Sequence, residues 1–304
     1  MSCMLKHTTE EIKRAAHNVR KRVLRLVLDH KGGYLGQTCS GAELLTTLYM
    51  RVMHLGESLG NPDGEPYAGP PGPDNKDYKT GGLYNGPVSP EFDRFIPSLP
   101  HYATALYCTL IECGRLSTKA LEHYNKDGWK MEQIAAENSP GYESMTGSLG
   151  QAISFAGGVA HARKIKGEKG RVICVITDGE SEEGQIWEAI QTAVAFGLDN
   201  LIVYLDANGQ QCEGETKAIM ELTPEDYANR FKAFGAVTVT VDGHDIDAIA
   251  SAADTPHPGK PLCIVCSTSC TKDMPVLERK RPNLHHVAFS GDEVAEAEAF
   301  YAQM

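Results

Sequence analysis

Residues 171–214, RVICVITDGESEEGQIWEAIQTAVAFGLDNLIVYLDANGQQCEG, decide the architecture of this chain. Two short apolar runs, 171–177 and 201–206, are rich in β-branched residues and flanked by turn formers, which marks buried strands. Between them 183–196 reads as a helix, and strands joined through a helix run parallel. Downstream, AVTVTVDG (236–243) and PLCIVCSTS (261–269) read as two more strands, with a helix over 246–253 between them. The expected fold is α/β: a parallel sheet with helices on both faces.

Upstream, 8–29 reads as a helix with Thr8 as N-cap and Glu11 as its capping-box partner. The Gly-rich stretch KGGYLGQTCSG (31–41) ends it, and a second helix is expected over 42–53, where Leu44, Leu45, Leu48, Tyr49 and Val52 share a face. Residues 56–90 are dense in Gly, Pro, Asn and Asp and read as an irregular insertion in a single domain spanning 1–304. YATALYCTLIECG (102–114) reads as a helix ending at Gly114, and STKALEHY (117–124) as a short one. The turn MTGSLGQ leads into AISFAGGVAHARKI (152–165), whose small residues suggest a tightly buried helix.

With 29 basic against 40 acidic residues, the formal charge is -11, and no dense Lys/Arg cluster is present, which argues against nucleic acid as a partner. The amino terminus mixes charged and apolar residues at helical spacing and lacks the unbroken apolar core of a signal peptide or membrane span. A cytoplasmic protein away from membranes is expected. Nine cysteines, without framework spacing, read as reduced thiols. Cys263 and Cys266 lie three apart on a strand, so they point to opposite faces and do not share a metal.

Open parallel sheets bind ligands beyond the carboxyl ends of their strands. There stand Asp178 and Gly179 after one strand, and Asp206, Asn208 and Gly209 after the next. Asp-Gly and Asn-Gly are common turn chemistry, and either pair alone reads as a turn. Two such turns on adjacent strands offer a carboxylate, an amide oxygen and a backbone carbonyl, hard ligands for Mg²⁺ or Ca²⁺ bridging a diphosphate.

Asp178-Gly179, with Asn208 lying 29 positions beyond Gly179, resembles the thiamine diphosphate fingerprint that opens Gly-Asp-Gly and closes with Asn about thirty residues later; Thr177 stands where the first Gly is usual. TGSLGQAISFAGGVA, DGESEEGQIWEA, LDNLIVYLDANGQQCEG and FGAVTVTVDGHD resemble the amino-terminal half of transketolase, the split, two-chain kind above all, from about Gly33 to His285. The resemblance implies that Asp178, Asn208 and the carbonyl of Gln210 hold the metal. It places Gly179, Glu180 and His101 with the diphosphate, and Ser148, Leu149 and Gly150 against the aminopyrimidine. His285 is a second candidate histidine, with His286 adjacent, and Glu183 matches a glutamate that relays between two active sites.

The resemblance further implies a carboxy-terminal partner subunit carrying the pyrimidine-binding domain and its catalytic glutamate, since only about twenty residues follow the region of likeness; two copies of each chain are expected. Departures from the family pattern fall on the substrate side. Tyr34 replaces a substrate-handling histidine, no histidine lies between Tyr124 and Val159, and Ser98-Leu99-Pro100-His101 lacks the family's lysine. The expected activity is ketol or acyl transfer on a non-standard substrate, within a specialised biosynthetic route. The first component of a 2-oxo acid dehydrogenase or decarboxylase, and a non-catalytic scaffold, are the alternative readings.

Overall fold

The structure, a computed structural model, describes residues 7–304; the first six residues of the amino-terminal reading lie outside them. Five strands form one parallel sheet: β1 (Arg94–Pro97), β2 (Val172–Thr177), β3 (Leu201–Ala207), β4 (Val237–Asp242) and β5 (Leu262–Ser267), in the order β1-β2-β3-β5-β4. Every residue of β2 and β3 is buried, which is why their sequences show no polar alternation. Ile173, Val175, Ile202 and Tyr204 pack into one core layer, and Cys174, Ile176, Val203 and Leu205 into the other.

On the first face lie α1 (Thr9–Asp29), α2 (Leu35–Thr47), α3 (Ala103–Glu112) and α7 (Ile246–Ala252). On the second lie α4 (Ala152–Lys166), α5 (Gly184–Ala195) and α6 (Pro224–Ala233). A last helix, α8 (Asp292–Gln303), which the sequence reading did not foresee, returns to α1 through Arg25, whose guanidinium donates to Glu298 at 2.8 and 2.9 Å. The Thr8–Glu11 capping box of α1 is present on both sides. Cys263 and Cys266 fall in opposite core layers, and the eight described cysteines are all free.

Three expectations change. Helix α2 starts at Leu35 rather than near residue 42, inside the stretch read as a terminator, and passes into a π-turn at Leu48–Val52. Gly36 and Gly41 are glycines there because neighbours press against the helix. A Cβ on Gly36 would lie 2.4 Å from the Leu284 carbonyl oxygen, and one on Gly41 would lie 2.7 Å from the Tyr102 ring. Strand β1 was missed because four residues ending in proline carry little periodic signal. Helix α4 is buried on one side only: its outer face exposes Phe155, and a Cβ on Gly157 or Gly158 would meet nothing. Residues 56–90 contain only one five-residue 3₁₀ turn, Gly81–Asn85, and isolated bridges. Among the described residues no helix is long and apolar enough to cross a membrane.

Candidate active site

All five strands end on one edge of the sheet. The β2–β3 register, Thr177 opposite Asp206, sets the two turns side by side. Asp178, 1% exposed, accepts from Gly179 N at 2.9 Å through one oxygen, and from Gly209 N at 2.8 Å and Thr216 Oγ1 at 3.0 Å through the other. No Lys, Arg or His pairs with it among the described residues, and burial, then the nearby Asp206, pushes its pKa up to about 7. Asn208 Oδ1 accepts from the backbone N–H of Gln210 at 2.9 Å. One carboxylate, one amide oxygen and the Gln210 carbonyl are a donor set for a hard divalent cation, whose charge would relieve the Asp178–Asp206 repulsion. No cluster of three or more His, Cys, Asp or Glu side chains suits a metal among the described residues, so this mixed oxygen set is a different kind of site from a zinc centre.

Behind Asn208 lies a buried network that the sequence reading did not find. Asp206 accepts from Tyr102 OH at 2.5 Å, from Ser40 Oγ at 2.7 Å and from Thr268 Oγ1. Asn208 Nδ2 donates to the same Tyr102 oxygen at 3.0 Å and to Ser40 at 3.3 Å. Both amide hydrogens of Asn208 are thereby engaged, which fixes the direction of its oxygen. Burial raises the Asp206 pKa against these hydrogen bonds.

His101 lies beside Tyr102, in the 3₁₀ turn after β1. Its ring sits 5.0 Å from that of His285 and 5.8 Å from that of Tyr34, while Tyr34 lies edge-on to His285 at 5.3 Å. His285 is half-buried and His286 exposed, so His285 is the one that meets His101. Burial drives the His101 pKa down to about 3 and lowers that of His285, so both rings are neutral at pH 7. The segment bearing His285 is clipped to the Gly-rich turn by two backbone hydrogen bonds of 2.9 Å, Gly33 N to Val287 O and Val287 N to Gly33 O.

The third group joins through Glu180. Its Oε1 accepts from Gly150 N at 2.8 Å and from Ser98 Oγ, its Oε2 has no partner among the described residues, and burial pushes its pKa up to about 7. Gly150 has φ +83°, and a Cβ there would meet Glu183 Cβ at 2.8 Å. Ser148, Leu149 and Glu183 are exposed on this side. Next to them, between α4 and α5, runs a groove of about 360 Å³ lined by Ile153, Gly157, Gly158, His161 and Phe196. Ser98, His101 and Tyr102, all from one short turn, therefore touch all three groups.

Fold and strand-end chemistry together define an α/β enzyme of the thiamine diphosphate-binding class. Residues 83–302 match the family described as "Transketolase, thiamine diphosphate binding domain", and the chain belongs to the transketolase family of thiamine diphosphate-dependent transferases. It is 32% identical over 288 residues to one of the two kinds of chain named for the apulose-4-phosphate transketolase of Actinobacillus succinogenes, covering 94% of each. To the 6-deoxy-6-sulfo-D-fructose transketolase subunit SqwG of a Clostridium species it is 31% identical over 261 residues, covering 85% of this chain and 84% of the other. The transketolase of Campylobacter jejuni superposes with a TM-score of 0.75 at 23% identity, over 97% of this chain and 43% of that one; this likeness shows the fold.

Proposed function

We propose that this chain is one single-domain subunit of a cytoplasmic, two-chain transketolase that binds thiamine diphosphate with Mg²⁺ and moves a ketol group from a non-standard ketose. The observation that carries the reading is the meeting of Asp178 and Asn208 across the β2–β3 register, where a buried carboxylate has no cationic partner among the described residues. Asp178, Asn208 and the Gln210 carbonyl hold the cation, with Gly179 and His101 beside the diphosphate. Ser148, Leu149, Gly150 and Glu180 face the aminopyrimidine. When bound, thiamine diphosphate supplies the carbanion and electron sink for carbon–carbon cleavage.

The protein positions and shields. His101 and His285, neutral at pH 7, hydrogen-bond the substrate without adding charge, and the buried Tyr102–Asp206 pair keeps water from the back of Asn208. Substitution of Tyr34 for a histidine supports a substrate other than the usual pentose phosphates. The related chains are named for apulose 4-phosphate and 6-deoxy-6-sulfofructose, which favours the same class.

A partner subunit with the pyrimidine-binding domain completes the site, two copies of each chain assembling. Exposed Glu183, Leu149 and Phe155 and the open Gly157–Gly158 surface support docking of that partner along α4 and α5. Calorimetry of thiamine diphosphate and Mg²⁺ on this chain, alone and mixed with the product of the neighbouring reading frame, tests the proposal. Tight binding in the mixture that Asp178→Ala abolishes is expected; no binding in either would overturn it.

A further inference from the structure

Gln37 stands in the first turn of α2 and is 1% exposed, in a place where a long polar side chain has no packing advantage over leucine or methionine. Its Nε2 lies 3.0 Å from His285 Nδ1. Its Oε1 is buried without a partner among the described residues. A buried amide with only one end satisfied destabilises the fold relative to an apolar residue of the same size. The contact it does make falls on the ring that meets His101 and Tyr34, and on no other titratable group.

An amide nitrogen can only donate, so Nδ1 of His285 must accept, and the single proton of the neutral imidazole sits on Nε2. Tyr34 lies edge-on to this ring and limits its rotation. We propose that Gln37 is a positioning residue: it holds His285 as the Nε2–H tautomer, so that with Tyr34 the ring offers one fixed N–H to a hydroxyl or carbonyl oxygen of the donor substrate. The specificity of the pocket then depends on a residue that need not touch the substrate. Its assignment to the donor substrate rests on the reading of the chain as a transketolase subunit, but the tautomer itself does not.

The test is long-range ¹H–¹⁵N correlation of the full chain labelled with ¹⁵N-histidine, the His285 signals being assigned by their loss in His285→Gln. The expected pattern is Nε2–H in the unaltered chain, a switch to Nδ1–H in Gln37→Glu, whose carboxylate can only accept, and a mixture in Gln37→Met. An Nδ1–H ring in the unaltered chain overturns the inference, because the amide would then be turned the other way. So does an Nε2–H pattern that neither substitution alters. In the assembled enzyme, Gln37→Met is expected to raise KM for the donor substrate about tenfold, as for one lost hydrogen bond, with kcat nearly unchanged. An unchanged KM removes the specificity role, whereas absent cofactor binding in the unaltered complex would fault the transketolase reading and leave the tautomer result standing.

Discussion

Tyr102 binds Asp206 through a 2.5 Å hydrogen bond deep behind the cation site, and the same hydroxyl oxygen accepts from Asn208. Because one oxygen serves both, removing it frees the Asn208 amide and uncovers a carboxylate at once. Tyr102→Phe is therefore expected to weaken Mg²⁺-dependent cofactor binding about tenfold, equivalent to about 1.4 kcal/mol. Calorimetric titration with Mg²⁺ at saturating thiamine diphosphate measures this, and an unchanged affinity would show that Ser40 alone orients Asn208.

The acid limb of stability is expected to carry the signature of His101. Its folded pKa of about 3 lies below its unfolded value of about 6.5, so the unfolded chain binds the extra proton between those limits. The stability from neutral His101 is complete above pH 6.5 and is lost as pH falls toward 3. Asp178 and Glu180, raised to about 7, act in the opposite sense: their penalty fades as pH falls from 7 toward 4. The His101 contribution is isolated as the difference in denaturation midpoint between the unaltered chain and His101→Asn, a difference that should narrow from pH 7 to pH 5.

Gly36→Ala tests the clip that carries His285. A methyl 2.4 Å from the Leu284 carbonyl cannot be accommodated by a rotamer change, since the obstacle is backbone. A loss of about 1–3 kcal/mol in urea unfolding is expected, together with reduced turnover in the assembled enzyme. An Ala variant as stable as the parent would show that residues 283–287 are free to move.

The outer face of α4 predicts separation of assembly from folding. Gly158→Glu adds a charge where a Cβ meets nothing, so the melting temperature of the isolated chain is expected to change by no more than about 2 °C. Association with the partner, read by light scattering after size exclusion, should be lost. If the charged variant assembles normally, the partner docks elsewhere.

Strands β2, β3, β4 and β5 were legible because each is a β-branched apolar run bounded by turn residues, and the Thr8–Glu11 box because capping is local chemistry. The Asp178 and Asn208 turns could be read from their positions after adjacent strands. Helix α2 was misread over its first turns: glycine usually marks a stop, and here it marks close approach by Leu284 and Tyr102. Tyr102 could not be placed from sequence, since its partners Ser40 and Asp206 lie 62 and 104 residues away. The outer face of α4 misled for another reason: small residues admit a close neighbour, but they do not say whether that neighbour belongs to the same chain.

The wall that joins Gln37 to His285 spans 248 residues of sequence. Contacts of such separation form only after the intervening chain has lost its freedom, so they come late in folding and early in unfolding. The histidine wall thus serves as a proofreader of synthesis: a chain still emerging from the ribosome can build the β2–β3 edge while its substrate pocket has no far side, and competence to select a substrate arrives only with the stretch around His285.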